Sequence, residues 1–110
     1  MPGALKTAQR EQNMTARQIR EFKDSAPFVE WRRRRDDARY SGYANTVIER
    51  AIAVANGTAT ENQAEKVNSY LSRAKAQFKQ DGAGQTKLAG TAKNVVALRA
   101  WGYDPYGTFS

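Results

Sequence analysis

The sequence predicts an all-α protein: four to five short helices in a small, thin-cored bundle, with an extended N-terminal arm and an aromatic C-terminal tail. Three observations carry this expectation. Apolar residues recur at three- and four-residue spacing in several segments. Thr/Gln pairs with capping-box spacing stand where helices should begin. No stretch alternates apolar and polar residues long enough to compete as a strand. The core should be thin because the chain has 110 residues, and much of its 40% hydrophobic fraction is alanine, which buries little area per contact.

Residues 1–24 read as an arm that is at least partly helical. Pro2 and Gly3 argue against a helix from the first residue. Ala8, Thr15, Ile19 and Phe22 form only a narrow stripe, and Thr15 with Gln18 offers a helix start of its own. Ser25 followed by Pro27 marks the next start, since proline is accepted in a first turn. That helix should run to about Tyr40 and stop at Ser41-Gly42.

A third helix is expected over 44–56, with Val47, Ile48, Ala51, Ile52 and Ala55 on one face and Gly57 as its C-terminal cap. The clearest signal follows. Thr60 and Gln63 have capping-box spacing, and Ala64, Val67, Leu71, Ala74 and Phe78 form the apolar face of a helix over 61–80. Asp81-Gly82-Ala83-Gly84 is a turn. The last helix is expected from about Thr86 to Trp101, before Gly102. The organisation is then an arm (1–24), a helical domain (25–101) and an aromatic tail (102–110).

Composition narrows the chemistry. There is no Cys and no His, which removes disulfides, thiolates, the commonest general base and the commonest nitrogen metal ligand. The order Gly84-Gln85-Thr86-Lys87, with no strand before it, does not match a P-loop. Asp36-Asp37 diverge on a helix, and Glu61 with Glu65 has no predictable further ligand. No catalytic residue, cofactor, metal or small-molecule substrate is expected. The start of the chain lacks the apolar region of a secretory signal, and no run is long enough to span a membrane. The expected location is the cytoplasm or the interior of a virus particle.

The balance of 18 basic against 11 acidic residues gives a net charge of +7, which favours an anionic partner. Two segments are candidate grips. In FVEWRRRRDDARY, residues 28–40, consecutive arginines fan out by about 100° each on a helix, and Glu30–Arg34, Arg32–Asp36 and Arg33–Asp37 are i,i+4 pairs. Arg35 and Arg39 have no acid four residues away, so they, with Arg34 next, are the expected anion contacts. On the 61–80 helix, Asn68, Ser72, Lys75 and Lys79 share a face, and all four can donate to phosphate oxygens. In the tail, Trp101, Tyr103, Tyr106 and Phe109 are aromatics broken by Gly and Pro. They should either fold back on the core or dock on another chain.

A small, basic, cysteine-free chain of this kind resembles the accessory proteins of tailed-phage particles. That resemblance implies a non-enzymatic structural subunit docked on other protein subunits in a nucleic-acid-containing assembly. Two further readings are a free DNA-binding protein with a helix-turn-helix-like pair over 44–56 and 61–80, acting as a regulator or packaging factor, and a small inhibitor or adaptor of an acidic host protein.

Overall fold

The computed structural model describes residues 3–82 and 88–107, which form six helices and no strand: α1 (Ala4–Glu11), α2 (Ala16–Lys23), α3 (Ala26–Ala38), α4 (Tyr43–Asn56), α5 (Glu61–Gln80) and α6 (Lys93–Ala100). The all-α expectation holds. Two details are corrected. There are six helices among the described residues rather than four to five, and the N-terminal segment is no extended arm. It is two helices, α1 and α2, which bury Ala8 and then Ile19 and Phe22 in the common core. The radius of gyration is 13.1 Å, close to the ~13 Å of a compact chain of about 100 residues.

Local chemistry sets the boundaries. Thr15 and Thr60 each make both halves of a capping box, with Gln18 and Gln63, and these start α2 and α5. Ser25 joins α2 to α3: its hydroxyl donates to the Phe22 carbonyl at 2.6 Å and accepts from the Phe28 N–H at 3.4 Å. The start of α4 has only Gly42 in the cap position, so it has no side-chain cap of its own. Asp36 of α3 supplies one from outside, its two oxygens accepting from the N–H groups of Gly42 (3.2 Å) and Ala44 (3.0 Å). Gly57, with φ of 80°, closes α4 in the left-handed region.

The helix expected from Thr86 starts later. Residues 83–87 lie outside the described residues, and Leu88 to Ala92 form a turn with the Ala92 N–H bonded to the Ala89 carbonyl. Gly90 in that stretch is a poor helix former, and α6 begins at Lys93.

Helix α4 lies at the centre, touching all five of the others. That explains why it buries Ala44, Val47, Ile48, Ala51, Ile52 and Val54, a set too wide for one face of a surface helix. Around it Phe22, Phe28 and Trp31 make a chain of edge and tilted ring contacts, each with centroids 5.8 Å apart.

The two ends of the chain are joined by a polar clamp. The side-chain amide of Asn13, between α1 and α2, holds the backbone of Asp104 at both positions. Its Nδ2 donates to the Asp104 carbonyl (2.8 Å), and its Oδ1 accepts from the Asp104 N–H (2.6 Å). The N–H groups of Asn13 and Met14 both donate to the Gly102 carbonyl. Gln12 donates to the carbonyls of Ala51 and Trp101. Asp104 is only 2% exposed; its carboxylate accepts from the Tyr106 N–H (3.0 Å) and pairs with Arg99 (3.3 Å). Gly102 sits at φ 99°, and a Cβ there would stand 2.5 Å from Gln12 Nε2.

Asn13→Ala should therefore cost about 2–3 kcal/mol, since it leaves two buried backbone groups of Asp104 unpaired. Gly102→Ala should cost at least about 2 kcal/mol through strain and collision with Gln12. Asp36→Ala, which removes the outside cap of α4, should cost about 1 kcal/mol. Urea unfolding of the three variants measures each effect.

Candidate functional site

The sequence-predicted contacts divide once the helices pack. In the arginine run, Glu30 takes two partners, Arg33 at 2.6 Å and Arg34 at 3.1 Å. The hydrogen bond from Arg33, with the charges of Arg33 and Arg34, holds the Glu30 carboxyl below the usual carboxylate range. The expected Glu30–Arg34 pair forms. The expected pairs of Arg32 with Asp36 and of Arg33 with Asp37 do not appear among the described residues, because Asp36 is committed to the start of α4 and Arg33 to Glu30. Arg34 remains exposed but is held by an acid. Arg35 is half-buried, and Arg39 lies over the Tyr43 ring at 5.5 Å.

On α5 the predicted stripe is split. Ser72 and Lys79 are exposed, whereas Asn68 and Lys75 are half-buried. The Lys75 ammonium donates to the Glu11 carbonyl (3.0 Å) and the Glu11 carboxylate (3.2 Å), and it stands 4.5 Å from the centre of the Tyr103 ring. It caps the C-terminal end of α1, where the helix dipole favours a cation.

The tail from Trp101 to Gly107 folds back on the helices. Trp101 is 7% exposed and stacks on Tyr70 of α5, with centroids 4.1 Å apart and the planes 11° from parallel. Tyr106 packs edge-on against Phe78 at 5.9 Å, and its hydroxyl accepts from the Leu88 N–H. Tyr103 is half-buried beside Lys75. Phe109 lies outside the described residues.

This folding builds a groove between α4 and α5, of about 410 Å³. Trp101 and Tyr70 form its aromatic floor, and Arg50, Lys66 and Arg73 supply three cations; Ser69 and Asn62 add polar side chains, and Glu65 is the one acid of the lining. Arg50 lies over the Trp101 ring at 5.7 Å, and Arg73 Nε donates to the Ser69 carbonyl, which lays its guanidinium back along α5.

Tyr70 also links this groove to the α3–α4 corner electrostatically. Tyr70 feels the phenol of Tyr43 and the charges of Arg35 and Arg73. Tyr43 in turn meets Tyr40 edge-on at 5.5 Å and carries Arg39 over its ring. Arg50 and Arg73 thus line the groove with Tyr70 and Trp101, Arg39 lies over Tyr43, and neither these three arginines nor Arg35 makes an ion pair among the described residues. Arginines held against aromatic rings keep their forked donors oriented without an acid to neutralise them.

Sequence reasoning finds Arg35 and Arg39 and misses Arg50, Lys66 and Arg73. One signal is present. Asn62, Lys66, Ser69 and Arg73 repeat the spacing of Asn68, Ser72, Lys75 and Lys79 six positions earlier on α5, a third of a turn round the helix. Arg50 and Trp101 carry no signal, because only tertiary packing joins them.

No protein-family model, curated protein or solved structure matches this chain.

Burial raises the Tyr70 hydroxyl above its ordinary 10.0, and Tyr43 adds to the rise, while Arg35 and Arg73 oppose it. The folded chain therefore holds this proton more tightly than the unfolded chain. Its contribution to stability is complete below the ordinary tyrosine value and is lost as pH rises through the higher folded one. Urea midpoints measured from about pH 8 to about pH 11 should fall at the alkaline end, and Tyr70→Phe should remove part of that fall.

Proposed function

We propose that this chain is a non-enzymatic interaction subunit that grips the phosphate backbone of a nucleic acid across the α4–α5 groove and the α3–α4 corner, inside a larger assembly such as a phage particle. One observation carries the reading: Arg50 and Arg73 line a groove floored by Tyr70 and Trp101, Arg39 lies over Tyr43, and none of the three has an acid partner among the described residues. Cations gathered without acids repel one another and weaken the fold. Some cations elsewhere are paired, as in Lys23–Glu49, Lys75–Glu11 and Arg99–Asp104, and others make no ion pair among the described residues; what sets this group apart is its place beside aromatic rings. Cations set beside aromatic rings suit an anion that arrives from outside.

Phosphate suits the site better than a lone carboxylate. Guanidinium forks match phosphate oxygens two at a time, and a chain of phosphates is the anion that can meet arginines spread over three helices. Packing against aromatics lowers the entropy lost when the arginines engage. Contacts of this kind go to the backbone and carry no sequence preference. The tail serves the same purpose, since Trp101 is the floor on which Arg50 rests.

Titrating labelled random-sequence duplex DNA at several salt concentrations, followed by fluorescence anisotropy, tests this reading. Affinity should fall steeply with salt, and Arg50→Gln with Arg73→Gln should flatten the log–log slope by about 0.9 for each phosphate no longer neutralised. Lys75→Ala should lower stability and leave the slope unchanged. DNA binding that is absent at low salt, or a slope untouched by the double substitution, contradicts the proposal.

A further inference from the structure

A second groove, of about 520 Å³, lies between α3 and α6 on a surface that the nucleic-acid reading does not use, apart from Arg35 at its edge. Its character is different. Pro27, Trp31, Ala38 and Val96 give it apolar walls, and Arg34, Arg35 and Lys93 stand round them. It exists because α3 has 13 residues and α6 only 8, so α6 cannot cover the full length of its neighbour. Helix α3 is also apolar on more than one side. Phe28 and Trp31 enter the core, Pro27 and Ala38 line the groove, and Val29 is 43% exposed.

We propose that this groove docks an acidic amphipathic helix of a partner protein, with its apolar side chains over Ala26, Pro27 and Ala38 and the exposed edge of Trp31, and its carboxylates against Arg35 and Lys93. The charge pattern selects the occupant. Glu30, the one acid of the lining, is already held by Arg33 and Arg34, whereas Arg35 and Lys93 have no ion pair among the described residues. The rim is thus cationic above apolar walls, the complement of an apolar stripe bordered by Glu or Asp. A cleft between two helices accepts a third helix through its i, i+3, i+4 face, and the volume lies in the range of formed binding sites, about 300–1,000 Å³. A nucleic acid fits less well, since its phosphates would have to lie over Pro27, Ala38 and the edge of Trp31.

The test uses the full chain, labelled with ¹⁵N, and a synthetic helical peptide with leucine on one face and glutamate along its borders. A peptide with the same leucines and lysine borders is the control. The glutamate peptide should shift the Val96 and Ala38 amides and the Trp31 indole N–H, which is buried and has no hydrogen-bond partner among the described residues. The lysine peptide should not shift them. Ala26→Glu and Lys93→Glu place acids at the first positions of α3 and α6, where the helix dipole favours them, so the fold should survive and the native spectrum will show it. Together they should weaken the glutamate peptide by at least about tenfold.

Four results would overturn the proposal: no saturable shift, shifts centred elsewhere, equal binding of the lysine peptide, or a folded double variant that binds as well as the parent. Shifts of the same residues on dilution of the chain alone would assign the groove to a second copy, and shifts with duplex DNA alone would assign it to nucleic acid; either replaces the partner helix.

Discussion

The structure depends on the grip of the Gln12–Asn13–Met14 connector on the turn from Trp101 to Asp104. The residues that meet there are 88 to 91 positions apart in the chain, so local propensity does nothing to bring them together and closing so long a loop costs entropy. What holds the turn is a set of hydrogen bonds to its backbone and carboxylate groups. Asn13 matches both backbone groups of Asp104, Gln12 takes the Trp101 carbonyl, and the Asp104 carboxylate is met by Arg99 and the Tyr106 N–H. A buried network that is complete specifies one arrangement, and one that is half complete costs more than an apolar core. The grip sets Trp101 down on Tyr70, and that stack is the surface on which Arg50 lies. The clamp is structural, yet it builds the floor of the groove.

The placement of acids gives the molecule its two-sided character. Several carboxylates have specific intramolecular roles: Glu11 on Lys75, Glu30 on Arg33 and Arg34, Asp36 on the start of α4, Glu49 on Lys23, and Asp104 on Arg99. All but Glu30, whose partners lie on its own helix, harden a helix end or a contact between elements. Part of the positive surplus, Arg39 and Arg50, is left over aromatic rings at the α3–α4 corner and on α4. The resulting face has oriented donors and, in the groove lining, the single acid Glu65 against Arg50, Lys66 and Arg73, which suits a polyanion. On the α3–α6 side, apolar walls with a thin cationic rim suit a protein instead. A subunit with both faces could join nucleic acid to a protein neighbour, and the fold would hold them on one small body.

Local chemistry is legible in the sequence; long-range chemistry is not. The capping boxes at Thr15 and Thr60, the Ser25-Pro27 start, the Gly57 cap and the 61–80 helix all follow from residues a few positions apart. An extended arm is the wrong reading of the N-terminus because α1 buries only Ala8. Ala4 and Leu5 add only partly buried apolar contacts; much of its attachment comes from Gln9, Gln12 and the Lys75–Glu11 contact, and polar side chains give no periodic apolar signal. Asp36 looks like the partner of Arg32 when i,i+4 spacing is the only neighbour relation available, whereas two backbone N–H groups across the α3–α4 turn claim it. The α5 face is displaced by a third of a turn for the same reason: the sequence holds two equivalent donor stripes, and only packing decides that Lys75 belongs to α1.

The central claim is that nucleic acid enters the α4–α5 groove and meets arginines resting on aromatic rings. Arginine side-chain NMR of the full chain, titrated with a short duplex at low salt, tests it most directly. The Nε–H signals of Arg50 and Arg73 and the indole N–H of Trp101 should move together and saturate, with Arg35 and Arg39 following, while Arg99, paired with Asp104, stays in place. Signals of Arg50, Arg73 and Trp101 that remain fixed while the duplex binds would contradict the account and place the contact on another face.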